Sequence, residues 1–401
     1  MRDIAIIGGG LVGLCAALVL QHPGRRVSII EAGNLEQSRA DGLNARSIAL
    51  AASSVQVFRA LGIWSQIEAQ AAPIRHIHVS SLGRWGVTRL RAEDYQLDAL
   101  GYVIENQALG RCLLDAIKDQ DNIKLEQNAE FESIGQGAEV TIGYRKNKRK
   151  QVLKARLALI ADGAHSPARS ALGIGHESHD YGQAAVICNV EFGKPKMDTA
   201  YERFTPQGPL AMLPLGGKRY ACVWTLALDR ASVVCNHDDT EFSAVLQDRF
   251  GFRLGLIERV GERFSIPIQR TRAEALNAGR CLLIGNAANA LHPVAGQSFN
   301  LSLRDIACLH ELLYDRPLAD LDNELSQLVT DYGMLRADEH RRIIRYGDGL
   351  VTMFSNELPL LDVVRAAGLG LLDLVPPLKT QAALTGMGMT FGGNRLLRGH
   401  L

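Results

Sequence analysis

The chain has 401 residues, of which 47% are apolar and 22% are charged, and its formal net charge is +1. This composition is typical of globular proteins, and the length suits two interleaved lobes better than one simple core. The near-neutral charge lacks the strong basic excess that nucleic-acid binding requires, so no nucleic-acid partner is expected. Seven cysteines without a CxxC spacing argue against a disulfide framework or a metal site and favour a reducing cytoplasm.

Two segments could contact the inner face of the membrane peripherally. The basic run at residues 145–150 lies between alternating apolar stretches, which favours a solvated hairpin tip over a membrane-surface patch. The Leu- and Val-rich region 358–378 is interrupted by charged residues, which favours amphipathic helices packed on the body over a membrane anchor. No signal peptide and no spanning segment are expected, so we predict a cytoplasmic protein.

The chain opens with a strand, a glycine turn and a helix. The apolar run Ile4–Ile7 predicts a strand buried on both faces, and Leu11–Gln21 has helical spacing of its apolar residues. A second apolar strand is predicted at residues 27–30. About thirty residues for the whole unit is the length of a βαβ crossover.

The turn of this unit, residues 8–13, fits the pattern GxGxxG. In such a turn the first glycine, Gly8, permits the tight bend, Gly10 lets the backbone approach a pyrophosphate, and Gly13 lets the helix pack closely on the strand. Glu31 ends the second strand, where its carboxylate is placed to bind a ribose diol, which favours FAD or NAD over a 2′-phosphate. The alternative is a structural glycine turn with a solvent-facing Glu31.

Polar segments follow two later predicted strands in the same manner. Leu157–Ala161 precedes Asp162-Gly163-Ala164-His165-Ser166-Pro167-Ala168-Arg169, and Cys281–Ile284 precedes a segment that begins Gly285-Asn286. Open α/β sheets bind ligands at the carboxyl ends of their strands, so these segments are candidates for one site.

Between these segments the pattern changes to short apolar runs separated by turn residues, from about residue 184 to 226. A helix is predicted from near Leu301, and the pattern is helical from about Asp322 to the end. The nucleotide-binding lobe is therefore predicted from three separated pieces, with a mainly β lobe inserted between the second and the third.

Together the three segments resemble the GxGxxG, DGxxSxxR and GD motifs of the flavin-dependent aromatic hydroxylases, the group that includes p-hydroxybenzoate hydroxylase. Within this group the chain most resembles the 2-polyprenyl-6-methoxyphenol hydroxylases of ubiquinone biosynthesis. The stretches that carry this second resemblance are residues 41–52, 92–100, 202–204, 208–215 and 285–300.

The resemblance implies an α/β (α+β overall) fold: a glutathione-reductase-like FAD-binding lobe in three segments, an inserted antiparallel β substrate domain and a helical C-terminal segment. The expected FAD-binding domain comprises residues 1–70, 101–180 and 271–330. The substrate domain comprises 71–100 and 181–270, and the helical segment comprises 331–401.

The resemblance also implies the residues of the cofactor site. Those expected to hold the ADP half of FAD are Gly8, Gly10, Leu11, Val12, Gly13 and Glu31. Those expected near the pyrophosphate, the ribityl chain and the flavin ring are Arg46, Arg111, Asp162, Gly285, Asn286, Pro293, Ala295, Gly296, Gln297, Ser298 and Asn300. His292 is a candidate acid or base beside the flavin, with a loop histidine fixed by a backbone hydrogen bond as the alternative.

The implied reaction is aromatic hydroxylation of a prenylated phenol, with NADPH as a transient reductant and O2 as the oxidant, through a flavin hydroperoxide. Two residues depart from the pattern of the group: Asn286 stands where an aspartate is usual, and Ser298 stands where a glycine is usual. They support a second hypothesis, a non-catalytic FAD-binding subunit of a quinone-biosynthesis assembly. Other ubiquinone-biosynthesis proteins are possible partners on either hypothesis.

Overall fold

A computed structural model describes residues 1–35, 42–83, 86–291, 297–314, 318, 324–354, 375–389 and 394–400. The strands in chain order are β1 (Arg2–Ile7), β2 (Val27–Ile30), β3 (Ser47–Ala51), β4 (Ala72–Ile74), β5 (His76–Ser81), β6 (Val87–Arg91), β7 (Gly101–Glu105), β8 (Ile123–Glu126), β9 (Ala129–Gly135), β10 (Val140–Lys146), β11 (Arg149–Ile160), β12 (His176–Phe192), β13 (Thr199–Thr205), β14 (Gly208–Pro214), β15 (Arg219–Ala227), β16 (Ile257–Val260), β17 (Phe264–Ala273), β18 (Asn277–Ala278), β19 (Cys281–Leu283) and β20 (Asn289–Ala290).

The helices in chain order are α1 (Leu11–Leu20), α2 (Ala52–Ala60), α3 (Trp64–Glu68), α4 (Asn106–Lys118), α5 (Pro167–Ala171), α6 (Leu228–Cys235), α7 (Asp239–Phe250), α8 (Gln297–Leu313), α9 (Leu325–Phe354) and α10 (Pro376–Gly386). Within the described ranges, which leave out residues 355–374 among others, no helix is long and apolar enough to span a membrane. Most of the region 358–378, predicted to be amphipathic, lies outside the described residues.

The strands form three sheets, and the first has a parallel centre. Its order is β18-β19-β11-β1-β2-β8, with β10 paired to β11 and β9 paired to β10. The strands β19, β11, β1, β2 and β8 run parallel to one another. The side chains of β1, β2 and β19 are buried on both faces, as the continuous apolar runs predict. The carboxyl ends of β1, β11 and β19 therefore meet at one edge of the sheet.

The second sheet has nine strands in the described part of the chain. Its order is β20-β17-β12-β15-β14-β13-β5-β6, with β16 paired to β12, and the pairs are antiparallel except that β13 runs parallel to β5. The strands β5 and β6 thus join a sheet whose other strands lie at residues 176–290, whereas β3 and β4 both pair with β7 in a third, small sheet. The domain boundaries predicted from the sequence stay a prediction.

The two faces of the nine-stranded sheet have different surroundings. On the outer face, Tyr201, Met212 and Trp224 belong to a buried core that includes Phe242 of α7. On the inner face, Ala200 and its neighbours pack against Ile74 of β4 and Val103 of β7. The inner face is therefore the one directed towards the small sheet.

The mixed α/β class and the opening unit agree with the sequence, since β1, α1 and β2 lie at the predicted positions. The basic run at 145–150 forms the predicted hairpin tip, with Asn147 and Lys148 in the left-handed region at the turn. Three expectations are corrected. Helix α8 begins at Gln297, not near Leu301. The helices α6 and α7, which were not predicted, follow the region predicted to be β-rich, and the predicted short run 184–190 lies within a longer strand of 17 residues, β12.

Candidate functional site

The turn between β1 and α1 shows a separate physical reason for each glycine. Gly8 has φ +104°, and a Cβ built on it would lie 2.4 Å from the carbonyl oxygen of Ala161. A Cβ on Gly13 would lie 1.9 Å from the carbonyl oxygen of Gly8, so only glycine lets α1 approach the strand. A Cβ on Gly10 would meet no atom within 4 Å. Space therefore lies open beside Gly10, at the N-terminus of α1.

That N-terminus is uncapped. Gly10 is the N-cap residue of α1 and supplies no side chain, and the first turn contains no acidic residue. The first amide N–H groups of a helix have no partner within the helix and carry a partial positive charge, so they favour an anion such as a phosphate.

Glu31 closes one side of the turn. Its Oε2 accepts a hydrogen bond from the Gly9 amide at 2.6 Å, and its Oε1 accepts one from the Gly33 amide at 2.7 Å. Each carboxylate oxygen has further acceptor capacity, so the side chain is held in place and can still bind a hydroxyl. The alternative of a carboxylate that merely faces solvent is not what the structure shows.

Asp162 follows β11 and has an unused acceptor. Its Oδ2 accepts a hydrogen bond from the Ala168 amide at 3.0 Å, whereas its buried Oδ1 has no partner among the described residues. Burial raises the pKa of Asp162 above its ordinary value, against the opposing effect of hydrogen bonds from Ser166 and Ala168. A buried acceptor without a donor is costly, so this oxygen fits a ligand hydroxyl.

Arg169 ties the second motif to the third. It is 2% exposed, and its Nη1 donates to the carbonyl oxygen of Ala287 at 2.9 Å while its Nη2 donates to that of Ala164 at 3.0 Å. Its backbone amide donates to Ser166 Oγ, which caps the short helix α5. Sequence reasoning included Arg169 in the DGxxSxxR pattern but assigned it no role.

The third motif forms a 3-10 turn, Gly285–Ala287. Gly285 has φ +64°, and a Cβ on it would lie 3.1 Å from Cγ1 of Val12, so the third motif packs directly on the first. Asn286 is the exposed residue of this turn, between two buried neighbours. Its amide is thus available for a ligand hydroxyl, as expected for a ribityl contact.

The beginning of α8 is anchored to the protein. Asn300 is 2% exposed; its Oδ1 accepts hydrogen bonds from the Ala51 amide and from Ser54 Oγ, and its Nδ2 donates to the Ala49 carbonyl. Gln297 is buried and donates to the Gly386 carbonyl at 3.3 Å. The Asn300 amide is therefore engaged with β3 and α2, while Ser298 is partly exposed. The candidates His292, Pro293, Ala295 and Gly296 lie outside the described residues.

The two predicted arginines are both exposed. Arg111 lies on α4 beside Gly110, where an added Cβ would contact Leu11 at 3.7 Å, so it is close to the start of α1. Arg46 lies with its guanidinium carbon 5.0 Å from the ring centre of Phe264, in the nine-stranded sheet. The structure thus places Arg111 by the turn and Arg46 beside β17 of the nine-stranded sheet.

The structure brings the three motifs together at one sheet edge. It offers an uncapped helix N-terminus for a phosphate, Glu31 and Asp162 as acceptors for hydroxyl groups, and open space beside Gly10. This donor and acceptor set fits a dinucleotide, so fold and site define a dinucleotide-binding protein of the open α/β type.

Comparison with known proteins identifies the dinucleotide. A family model described as an FAD binding domain matches residues 1–315, and one described as squalene epoxidase matches residues 259–374. The chain belongs to the first of these families, that of the FAD-dependent monooxygenases, and FAD is its cofactor.

Relatives over the whole length agree with this assignment. The chain is 32% identical to the ubiquinone hydroxylase UbiL of Rhodospirillum rubrum, over 100% of this chain and 93% of the relative. It is 29% identical to the 3-demethoxyubiquinol 3-hydroxylase of Escherichia coli (strain K12), over 96% and 98%. The crystal structure of p-nitrophenol 4-monooxygenase PnpA from Pseudomonas putida DLL-E4 superposes with a TM-score of 0.75 at 17% identity, covering 96% and 98%, which shows a shared fold.

These findings confirm the resemblance to the flavin-dependent aromatic hydroxylases and the expectation of an enzyme. They therefore favour a hydroxylase over the alternative of a non-catalytic subunit.

Proposed function

We propose that this chain hydroxylates a prenylated phenol of the 2-polyprenyl-6-methoxyphenol type in ubiquinone biosynthesis, with NADPH and O2 as co-substrates. The names of the ubiquinone hydroxylases that it resembles over their whole length support the pathway. When bound, FAD carries electrons from the reductant to O2 and delivers one oxygen atom to the ring. The protein must hold the phenol and exclude water.

The observation that carries the substrate class is the inner face of the nine-stranded sheet. In each strand, the residues next to those of the buried outer core point to this inner face. Several of them are apolar and partly exposed, namely Ile77, Val79, Ala211, Leu213 and Val223. A pocket for a long apolar phenol should be lined by apolar side chains with few polar groups. This face has that character, and we propose it as the wall of the substrate site.

The site residues expected from the sequence keep their roles as part of this proposal. The open space at Gly10 and the uncapped α1 suit the pyrophosphate, Glu31 suits the adenosine ribose, and Asp162 and Asn286 suit hydroxyl groups of the ribityl region. Because the Asn300 amide is bound to β3 and α2, we expect it to fix the start of α8 and not to contact the flavin directly.

The proposal is tested with the purified, FAD-loaded protein, NADPH, O2 and a prenylated phenol, with the product identified by mass. A product heavier by one oxygen atom, formed together with NADPH oxidation, supports it. NADPH oxidation without any hydroxylated product from a panel of prenylated phenols would contradict it. A cytoplasmic location with peripheral contact at the inner membrane face, and association with other ubiquinone-biosynthesis proteins, remain predictions.

A further inference from the structure

We propose that Glu202 of β13 binds the hydroxyl group of the phenol and accepts its proton during hydroxylation. This inference rests on the proposed function and names the residue that recognises the reacting ring. The described residues of the motifs at the sheet edge surround the proposed cofactor site. Glu202 lies instead within the proposed substrate wall.

Sheet register places Glu202 on the inner face. It is paired with Ala211 of β14 on one side and with Val79 of β5 on the other, and Ala211 is in turn paired with Val223 of β15. Its neighbour Tyr201 belongs to the outer core, and successive residues of a strand point to opposite faces. Glu202 therefore stands in a row of apolar side chains on the face that the proposed function assigns to the substrate.

The carboxyl group has no partner of its own. No described residue forms a hydrogen bond or an ion pair with the Glu202 side chain, which is partly exposed. Burial among apolar neighbours raises its pKa to about 7, with no charged residue contributing. A carboxylate in apolar surroundings usually has a hydrogen-bond or ion-pair partner in the protein or in a bound ligand. A carboxyl group without a protein partner in an apolar wall therefore points to a hydrogen bond with a substrate hydroxyl.

The charged groups of this face lie at its ends. The row that contains Glu202 continues through Val223 and Ile187 to Phe264 of β17. Phe264 is four strand spacings from Glu202, or roughly 19 Å, and the guanidinium of Arg46 lies over its ring. Arg219, four positions before Val223 on β15, is bonded to Glu105 of β7 at 2.7 Å. The facing residues of β5, β6 and β14 are uncharged, so Glu202 is the ionisable group in the middle of the wall as far as the structure describes it.

The proton balance of the step is simple. The phenol O–H bond breaks, its proton passes to the Glu202 carboxylate, and the ring becomes electron-rich enough to take an oxygen atom from the reduced flavin and O2. The ring carbon then loses its own proton to solvent, Glu202 returns the first proton to the phenolic oxygen from which it came, and the second oxygen atom of O2 leaves as water. NADPH supplies the two electrons. Because Glu202 has returned its proton, it ends as the carboxylate that began the cycle.

The test compares Glu202→Gln and Glu202→Asp with the wild-type holoenzyme, using a 2-prenylphenol with a short prenyl chain and its methyl ether, which has no O–H. Glutamine keeps the size of the side chain but cannot take a proton. Glu258→Gln is the matched control, because Glu258 is exposed in β16 of the same sheet and is paired with Lys218. Flavin absorbance per chain checks that each variant is folded and loaded.

In the wild type we expect the yield of hydroxylated phenol per NADPH to rise with pH through about 7, as the carboxylate forms. Glu202→Gln should lose this rise and at least about tenfold in hydroxylation rate above that pH. Glu202→Asp should restore part of the pH dependence, and Glu258→Gln should behave as the wild type. With the methyl ether, wild type and Glu202→Gln should not differ.

Two results are distinguishable as failures. If the wild type hydroxylates the phenol and Glu202→Gln keeps both the yield and the pH profile, Glu202 has no part in the reaction although the proposed function stands. If the wild type forms no hydroxylated product from any phenol, the proposed function itself is wrong, and the role of Glu202 falls with it.

Discussion

The proposed cofactor site at the sheet edge and the proposed substrate wall on the inner face are built by different means. At the edge, ligand groups are mainly backbone amides and glycine surfaces, and the three turns contact one another through Val12, Gly285 and Arg169. On the wall, the ligand groups are side chains brought together by strand pairing, including a parallel pair between residues more than a hundred positions apart in the chain.

This difference decides what each region tolerates. A backbone turn allows little change in residue type, because the conformation and the close approach require glycine at particular positions. A sheet face allows many apolar side chains, so we expect its specificity to depend on a small number of polar residues such as Glu202. The following substitutions separate the two kinds of construction.

The largest expected effect is that of Gly10→Val. The added side chain meets no protein atom within 4 Å of its Cβ, so the fold should persist, but it occupies the space proposed for the pyrophosphate. We expect the affinity for FAD to fall at least about 100-fold, equivalent to about 2.7 kcal/mol. The measurement is titration of the apoprotein with FAD, followed by flavin fluorescence, and unchanged affinity would show that the phosphates lie elsewhere.

Gly13→Ala is the matched control. Its Cβ would lie 1.9 Å from the carbonyl oxygen of Gly8, so this smaller side chain should damage the fold itself and lower the yield of folded protein. A pair of glycines three positions apart thus separates ligand binding from helix packing.

Arg169→Met should have an effect of similar size, on stability. Methionine keeps much of the volume but donates no hydrogen bond, which leaves the carbonyl oxygens of Ala287 and Ala164 without their partner. We expect a loss of about 2–4 kcal/mol in the free energy of unfolding, measured by urea denaturation. Arg149→Met, at the exposed hairpin tip, should leave the denaturation midpoint unchanged. Equal midpoints for both variants would show that Arg169 does not hold the two turns together.

The sequence predicts the edge far better than the wall, for a physical reason. Strand, glycine and helix follow one another within about thirty residues, so local patterns contain the information for the turn at Gly8 to Gly13. The bridge made by Arg169 reaches Ala287, more than a hundred residues along the chain, and no local pattern reports it. The helices α6 and α7 were not predicted because they follow directly on a β-rich pattern.

Glu202 illustrates the limit most clearly. Its sequence neighbours contributed to the resemblance, but the face on which it stands follows from the pairing of β13 with β5 and β14, which is not visible in the chain. The hydrogen bonds of Asn300 are not visible in the sequence for the same reason, since its partners Ala49, Ala51 and Ser54 lie some 250 positions away.

A smaller effect is expected from Glu202→Gln on the pH dependence of stability. The pKa of Glu202 is raised from 4.5 to about 7 in the folded state, so the folded protein binds the proton more tightly than the unfolded chain. Its stability contribution is complete below the unfolded pKa and is lost as pH rises through about 7; because the side chain is partly exposed and screened by solvent, we expect a loss of about 1–2 kcal/mol. The variant should lose this decline in urea denaturation at a series of pH values. An identical decline in the variant would mean that the carboxyl is not desolvated.

The smallest effect is expected from Asn286→Asp, which restores the residue usual in the hydroxylase group. Asn286 is exposed in its turn, and the two side chains are nearly the same size and both accept a hydroxyl hydrogen bond, so FAD binding and the fold should persist. The added negative charge disfavours the anionic reduced flavin. With an effective dielectric constant near 20, unit charges at roughly 16 Å interact by about 1 kcal/mol.

For a two-electron couple this energy corresponds to a fall of about 20 mV in the reduction potential, measurable by equilibration with a reference dye. The variant should still hydroxylate its phenol, with a modest change in rate, because the charge acts on the flavin and leaves the substrate wall unaltered. A wild type without hydroxylase activity and an active Asn286→Asp variant would reverse this conclusion. The chain would then be a flavin-binding subunit in which Asn286, in place of the usual aspartate, had abolished the hydroxylase activity of the group.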